Sequence, residues 1–191
     1  MNQSIRRIVL LGSSLLIGCA DTGDSPLSPN AGTQVPSAAT YTQVDVVQRI
    51  TPLPASISAS AEIGDEGGVI AIPQAGVRVI FPRSAVDLPA DQESVRITVT
   101  AVQGSSVAYI FEPHGTTFRV PVRIEQDAKL TEAFTSPSHQ AFRGAYFPDE
   151  SYLSAQGSAK IGEFRPTHHD RKSAKLRWTV EHFSGYLLAS S

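Results

Sequence analysis

One cysteine, one methionine and one tryptophan are all that the 191 residues contain of those types. A single cysteine leaves no intramolecular disulfide to form, so the core alone must hold any folded part together. Charged residues make up 18% and the formal net charge is −2. There is no global positive field to gather nucleic acid, and none is expected as a partner. Aromatic residues are 7%, with no stripe on which sugars or bases could stack. No apolar run reaches the roughly twenty residues of a spanning helix. Hydrolase signatures are missing: there is no Gly-x-Ser-x-Gly, no His-Glu-x-x-His and no phosphate-binding glycine loop. Asp149 and Glu150 are adjacent and cannot flank a substrate as paired carboxylates do. No internal repeat of solenoid or propeller length is present. No cofactor and no metal site are expected.

The first residues are more informative. Met1–Arg7 carries Arg6 and Arg7 and no acid, and Ile8–Ile17 is an apolar run of about ten residues, half what a spanning helix needs. A basic start, a short apolar stretch and a small residue before a cut describe a secretory signal. The residues around Arg6-Arg7 do not fit a twin-arginine signal. Leu16-Ile17-Gly18-Cys19 resembles a bacterial lipobox: aliphatic, variable, small, cysteine. The resemblance implies cleavage between Gly18 and Cys19, a diacylglyceryl group on the Cys19 sulfur and an acylated amino terminus. Two or more chains hold a protein on a membrane stably where one does not. The membrane is therefore an expected partner through Cys19. The expected location is the bacterial cell envelope, on the inner or outer membrane, with the remainder outside the cytoplasm.

Hydrophobic residues at 41% suffice for one globular domain. The expected layout is a signal over 1–18, a lipidated cysteine and flexible linker over 19–55, and a folded domain over 56–191. Residues from Ala20 to about Tyr41 are rich in Ser, Pro, Gly, Thr and Asn, a tether composition. Val44–Ile50 could form a short strand, but Pro52 and Pro54 argue against a central one. From there the period is two. Val69–Ile72 reads as a short buried run. Val77, Val79 and Phe81 alternate with polar or outward residues. So do Val95, Ile97, Val99 and Ala101, then Phe118, Val120, Val122 and Ile124, then Leu176, Trp178 and Val180. Each reads as a strand with one buried face, and Gly, Pro and Ser clusters mark the turns between. Asp127–Phe134 is the best helix candidate, a short one. The pattern predicts an all-β antiparallel sandwich after a disordered tether.

Gly67-Gly68-Val69-Ile70-Ala71-Ile72-Pro73, then Gly76-Val77-Arg78-Val79-Ile80-Phe81-Pro82 and Ala85, resembles the opening of a ZU5 domain. That module occurs in ankyrins, netrin-receptor tails, a death-domain protein and bacterial surface proteins. Ser84 stands where the pattern has a glycine. Glu112-Pro113-His114-Gly115 followed by Arg119-Val120-Pro121-Val122 resembles a later stretch of the same module. The likeness covers about 60–126 well and 140–191 loosely. It implies a β-sandwich of ZU5 type and leaves function open.

His182-Phe183-Ser184 is the one constellation with chemistry in it. Some ZU5-containing proteins cut themselves within this tripeptide. The Ser184 hydroxyl would attack the Phe183 carbonyl, converting amide to ester for water to hydrolyse, with His182 as base. The amide would need strain at a tight corner, and Gly185 would supply conformational freedom there. The competing reading is a packing corner. Val180 and His182 continue an inward face, Phe183 fills the corner, Ser184-Gly185 bends, and Tyr186-Leu187-Leu188 forms another strand.

His168-His169-Asp170 sits among Arg165, Arg171, Lys172 and Lys175. Adjacent histidines on a strand point apart and cannot share a metal unaided. A solvated hairpin tip is expected, with metal or polyanion binding through 165–177 as an alternative. His114 and His139 are isolated. The sequence thus points to an envelope lipoprotein displaying a non-catalytic ZU5-like interaction or structural module with an unknown protein partner. Self-processing between Phe183 and Ser184 is the alternative, so the chain is not expected to be an enzyme acting on other molecules.

Overall fold

A computed structural model describes residues 40–135 and 141–190. Cys19, Gly18, the tether composition before residue 40 and His139 lie outside the described residues. Among the described residues fifteen strands run in chain order. They are β1 (Thr42–Val46), β2 (Gln48–Leu53), β3 (Ile57–Gly64), β4 (Gly68–Ile72), β5 (Val77–Phe81), β6 (Ser94–Ala101), β7 (Gly104–Ser106) and β8 (Ala108–Glu112). They continue as β9 (Thr117–Asp127), β10 (Phe142–Phe147), β11 (Ser158–Ile161), β12 (Glu163–Arg165), β13 (Thr167–Asp170), β14 (Lys175–His182) and β15 (Gly185–Ser190). The fold is all-β, and every strand pairing among the described residues is antiparallel.

Two sheets make the sandwich. The larger runs β11-β1-β15-β8-β6-β3, and β10 pairs with both β15 and β12. The smaller runs β13-β14-β9-β5-β4. Alternation puts Val77, Val79, Phe81, Val122, Ile124, Leu176, Trp178 and Val180 of the smaller sheet into one core. Ile97, Val99, Tyr109, Phe111, Tyr186 and Leu188 of the larger sheet meet them there. Burying each such side chain contributes about 1.5–3 kcal/mol. A polar tie crosses this core: the Tyr109 hydroxyl on β8 donates to Gln126 Oε1 on β9, and Gln126 Nε2 donates to the Ala75 carbonyl at 3.1 Å. Leu187 and Ala189 point the other way, into a second small core with Val46, Ala108, Ala145, Phe147 and Ile161. β15 is thus buried on both faces, which explains its run of apolar residues.

Several expectations need correction. The folded region begins before residue 56: β1 pairs with β11 and β15, and Val46 and Val47 are buried. The expected linker over 19–55 therefore overlaps two strands. β2 tolerates Pro52 because its ladder with β7 pairs Gln48 and Leu53 and leaves Pro52 in the irregular stretch between them, while Arg49 makes an isolated bridge to Thr131. Arg49 fastens it, its guanidinium donating to the carbonyls of Val102 at 3.1 Å and Gly104 at 3.2 Å. Val69–Ile72 is not a fully buried run, since Val69 and Ala71 face solvent while Ile70 and Ile72 face the core. Val120 is exposed, although its neighbours in the period, Phe118 and Val122, are buried. The cause is a bulge: β14 pairs Val180 with Val122 and then His182 with Thr117, leaving Phe118–Pro121 outside the ladder. Asp127–Phe134 forms two 3₁₀ turns, Ala128–Leu130 and Glu132–Phe134, not an α-helix. Asp127 caps the first by accepting from the Lys129 amide.

Candidate functional site

At His182-Phe183-Ser184 the chain leaves the smaller sheet on β14 and enters the larger on β15. A residue at such a crossing points between the sheets, and Phe183 does: it is fully buried. Its ring stacks on Phe111 at 5.0 Å and meets the edges of Phe118 at 4.5 Å and Phe81 at 6.0 Å. Its backbone is equally engaged. The Phe183 amide donates to the Thr116 carbonyl at 2.7 Å, and the Gly115 amide donates to the Phe183 carbonyl at 3.1 Å. The Phe111 amide donates to the Ser184 carbonyl at 2.9 Å.

The Ser184 hydroxyl donates to the Phe183 carbonyl oxygen at 2.6 Å. An attacking hydroxyl would instead hand its proton to a base. No described hydrogen bond joins His182 to the Ser184 hydroxyl, and the ring has other neighbours. Its Nδ1 lies 3.3 Å from the Tyr186 hydroxyl, which also donates to the His182 carbonyl at 3.0 Å. Its Nε2 lies 3.7 Å from Glu163 Oε1. Burial pushes the Tyr186 phenol well above its ordinary range, with Arg165 opposing. The tyrosine therefore stays a neutral donor and holds the histidine by its backbone carbonyl, with the ring nitrogen beside it.

Left-handed backbone does not occur at the corner. Among the described non-glycine residues, positive φ occurs at Ser84 (55°) and Ala174 (51°). The conformational freedom assigned to Gly185 is not what places it there. Its φ is not in the left-handed region, but a Cβ would lie 2.7 Å from both the Phe147 carbonyl oxygen and its ring. Glycine is required by the closeness of β10, not by a turn.

Ser84 shows the opposite situation. It occupies the left-handed conformation that favours glycine. It holds it with two bonds to Asp65, from its amide at 2.7 Å and from its hydroxyl at 2.6 Å.

The 165–177 segment is an edge hairpin of β13 and β14. His168 and His169 line different clefts on opposite sides of β13. Among the described residues no group of three or more His, Cys, Asp or Glu is placed to hold a metal. Much of the basic cluster is already neutralised: Arg165 pairs with Glu163 at 2.6 Å, Lys175 with Asp127 at 3.2 Å, and Arg177 with Glu125 at 3.0 Å. Asp170 accepts from the Ser173 hydroxyl and amide and from Arg177, which hold its carboxyl well below the usual carboxylate range. His169 is held below its ordinary value by burial first and by Arg171 second. Asp149 caps a turn through the Ser151 amide at 2.8 Å. His114 lies beside Asp149, Glu150 and Ser151 in a shallow cleft.

Sequence reading missed Arg143 and Phe164. They sit on β10 and β12, whose pairing places them next to Arg171 only in the folded chain. The alternation that would have revealed β10 is lost because Phe142, Gly144, Ala145 and Phe147 are all buried. A scan against protein-family models and a search of curated proteins each found no match to this chain.

Proposed function

We propose that this chain is a lipid-anchored envelope lipoprotein that displays a non-catalytic ZU5-like sandwich as an interaction or structural module. One observation carries the non-catalytic part. At the only constellation with chemistry in it, His182 faces Tyr186 and Glu163 while the Ser184 proton rests on the Phe183 carbonyl. That arrangement supports a corner in which each group stabilises the crossing between sheets. The lipobox-like Leu16-Ile17-Gly18-Cys19 supports the anchor.

Self-processing is the second reading, and one contact favours it. The Gly115 amide already donates to the Phe183 carbonyl oxygen at 3.1 Å, where negative charge would develop during attack. Denaturing intact mass of the chain beside Ser184→Ala separates the two. Denaturation is essential, because β15 pairs with β1, β8 and β10 and would stay docked after a cut. Two whole species identify a packing corner. A fragment ending at Phe183 in the parent alone identifies self-cleavage. For the anchor, Cys19→Ser should move the protein from the membrane fraction to the soluble fraction; continued membrane retention would refute lipid attachment at Cys19.

A further inference from the structure

Where β12 gives way to β13, an open cleft of about 610 Å³ separates the start of β10 from the β13–β14 hairpin. Its walls include Phe142, Arg143, Phe164, Thr167, His169 and Arg171. The charge within it is unbalanced. The described carboxylates next to its lining residues in the chain are already engaged, Glu163 by Arg165 and Asp170 by Ser173 and Arg177. Neither Arg143 nor Arg171 forms an ion pair with a described carboxylate. Arg143 is held in place by an aromatic ring, its guanidinium lying over Phe164 at 5.3 Å. A fork fixed in this way loses less freedom when it takes up an anion.

We propose that this cleft is a binding site for a small phosphate-bearing ligand, gripped by the guanidinium groups of Arg143 and Arg171. Arginine forks match the oxygens of phosphate in bidentate fashion, and such charge-assisted bonds are about twice as strong as neutral ones. The volume lies within the roughly 300–1,000 Å³ of small-molecule sites. A nucleic-acid backbone would need a longer basic track and meets a net charge of −2. His169 brings a ring nitrogen to the wall, and burial first and Arg171 second hold it below its ordinary value. The half-exposed Phe164 ring supplies apolar ground for the uncharged part of the ligand. The same chemistry is offered by a free phosphate compound and by a phospholipid headgroup. The cleft is independent of the anchored-module reading, since it contains neither the 182–185 corner nor Cys19.

The test titrates the full chain, in nonionic detergent, with inorganic tripolyphosphate and separately with glycerophosphoglycerol, a soluble headgroup, using glycerol as the blank. Calorimetry should show saturable binding of at least one phosphate probe. The combined Arg143→Ala and Arg171→Ala variant should bind about tenfold or more weakly, and Arg83→Ala, altered at an exposed pair with Glu66, should bind like the parent. Preference for tripolyphosphate identifies a free phosphate compound, and preference for glycerophosphoglycerol a headgroup; either supports the site. Absence of saturable binding to both at millimolar concentration overturns it, as does unchanged binding by the double variant. Should the double variant fail to fold, nitrogen-15 spectra of the unaltered protein decide. The Arg143 and Arg171 side-chain signals must move with the probe, and their immobility overturns the proposal.

Discussion

The corner at His182–Gly185 and the cleft between β10 and β13 contrast in one respect. At the corner, every polar group named by the sequence motif already has a partner, and Phe183 fills the space between the sheets. In the cleft, the exposed Arg143 and Arg171 form no ion pair with a described carboxylate. Adjacent residues with the right chemistry made the corner conspicuous in the sequence. His169 and Arg171 belong to a basic stretch visible in the sequence, but Arg143 and Phe164 join them only in the folded chain. Function requires groups whose bonding capacity is unfilled, and the fold, more than proximity along the chain, decides which groups those are.

The largest test of that contrast is Phe183→Ala. Emptying the aromatic cluster of Phe81, Phe111 and Phe118 should cost about 3–5 kcal/mol, read by urea unfolding. A loss under about 1 kcal/mol would mean that the corner is not a packing element. Alkaline pH probes the packed side next. Burial pushes the Tyr109 phenol up to about 12 from 10. The unfolded chain therefore loses this proton at lower pH than the folded one. The stability contribution is intact below pH 10 and lost as pH rises toward 12, by about 2–3 kcal/mol for this group. Urea midpoints at pH 8, 10 and 11 should fall in that order. Gly185→Ala comes third: the added Cβ must displace Phe147, at about 1–3 kcal/mol, and no loss would mean β10 yields easily. The cleft should behave oppositely. Arg143→Ala with Arg171→Ala should change stability by no more than about 0.5 kcal/mol, because neither side chain holds a described ion pair. A larger loss would make the cleft structural and blur the contrast. Smallest of all is Ser84→Gly. Relief of left-handed strain, about 1 kcal/mol, is offset by the lost hydroxyl bond to Asp65 at about 0.5–1.5 kcal/mol, so the thermal midpoint should barely move.

Strands that bury one face were legible, because period two survives in Val77–Phe81, Val95–Ala101 and Leu176–Val180. β10 was not, since burial on both faces erases the alternation. β2 was obscured by Pro52, whose missing amide proton matters only on an inner strand. The register shift between Val180 and His182 removed Val120 from the core, and no local signal announces such a shift. At the candidate site, the sequence made the corner and its two readings visible, but not the direction in which the His182 ring points. That direction depends on Tyr186 and Glu163, which arrive from β15 and from the loop edge of β12. The basic residues of 165–177 were legible as a cluster, but their neutralisation by Asp127 and Glu125 was not, because those carboxylates lie on β9.

The position of β15 in the larger sheet has a kinetic consequence. Its two edges are shared by β1, β8 and β10, and its pairing with β1 joins Asp45 to Ser190 and Val46 to Ala189. Nearly the whole described chain must be available before this strand can close its ladders. Loop closure over such separations slows folding to the millisecond-to-second range seen for non-local β topologies. A chain that cannot complete its central strand early remains unfolded for longer. It also leaves apolar strands exposed to chance pairing in the interval.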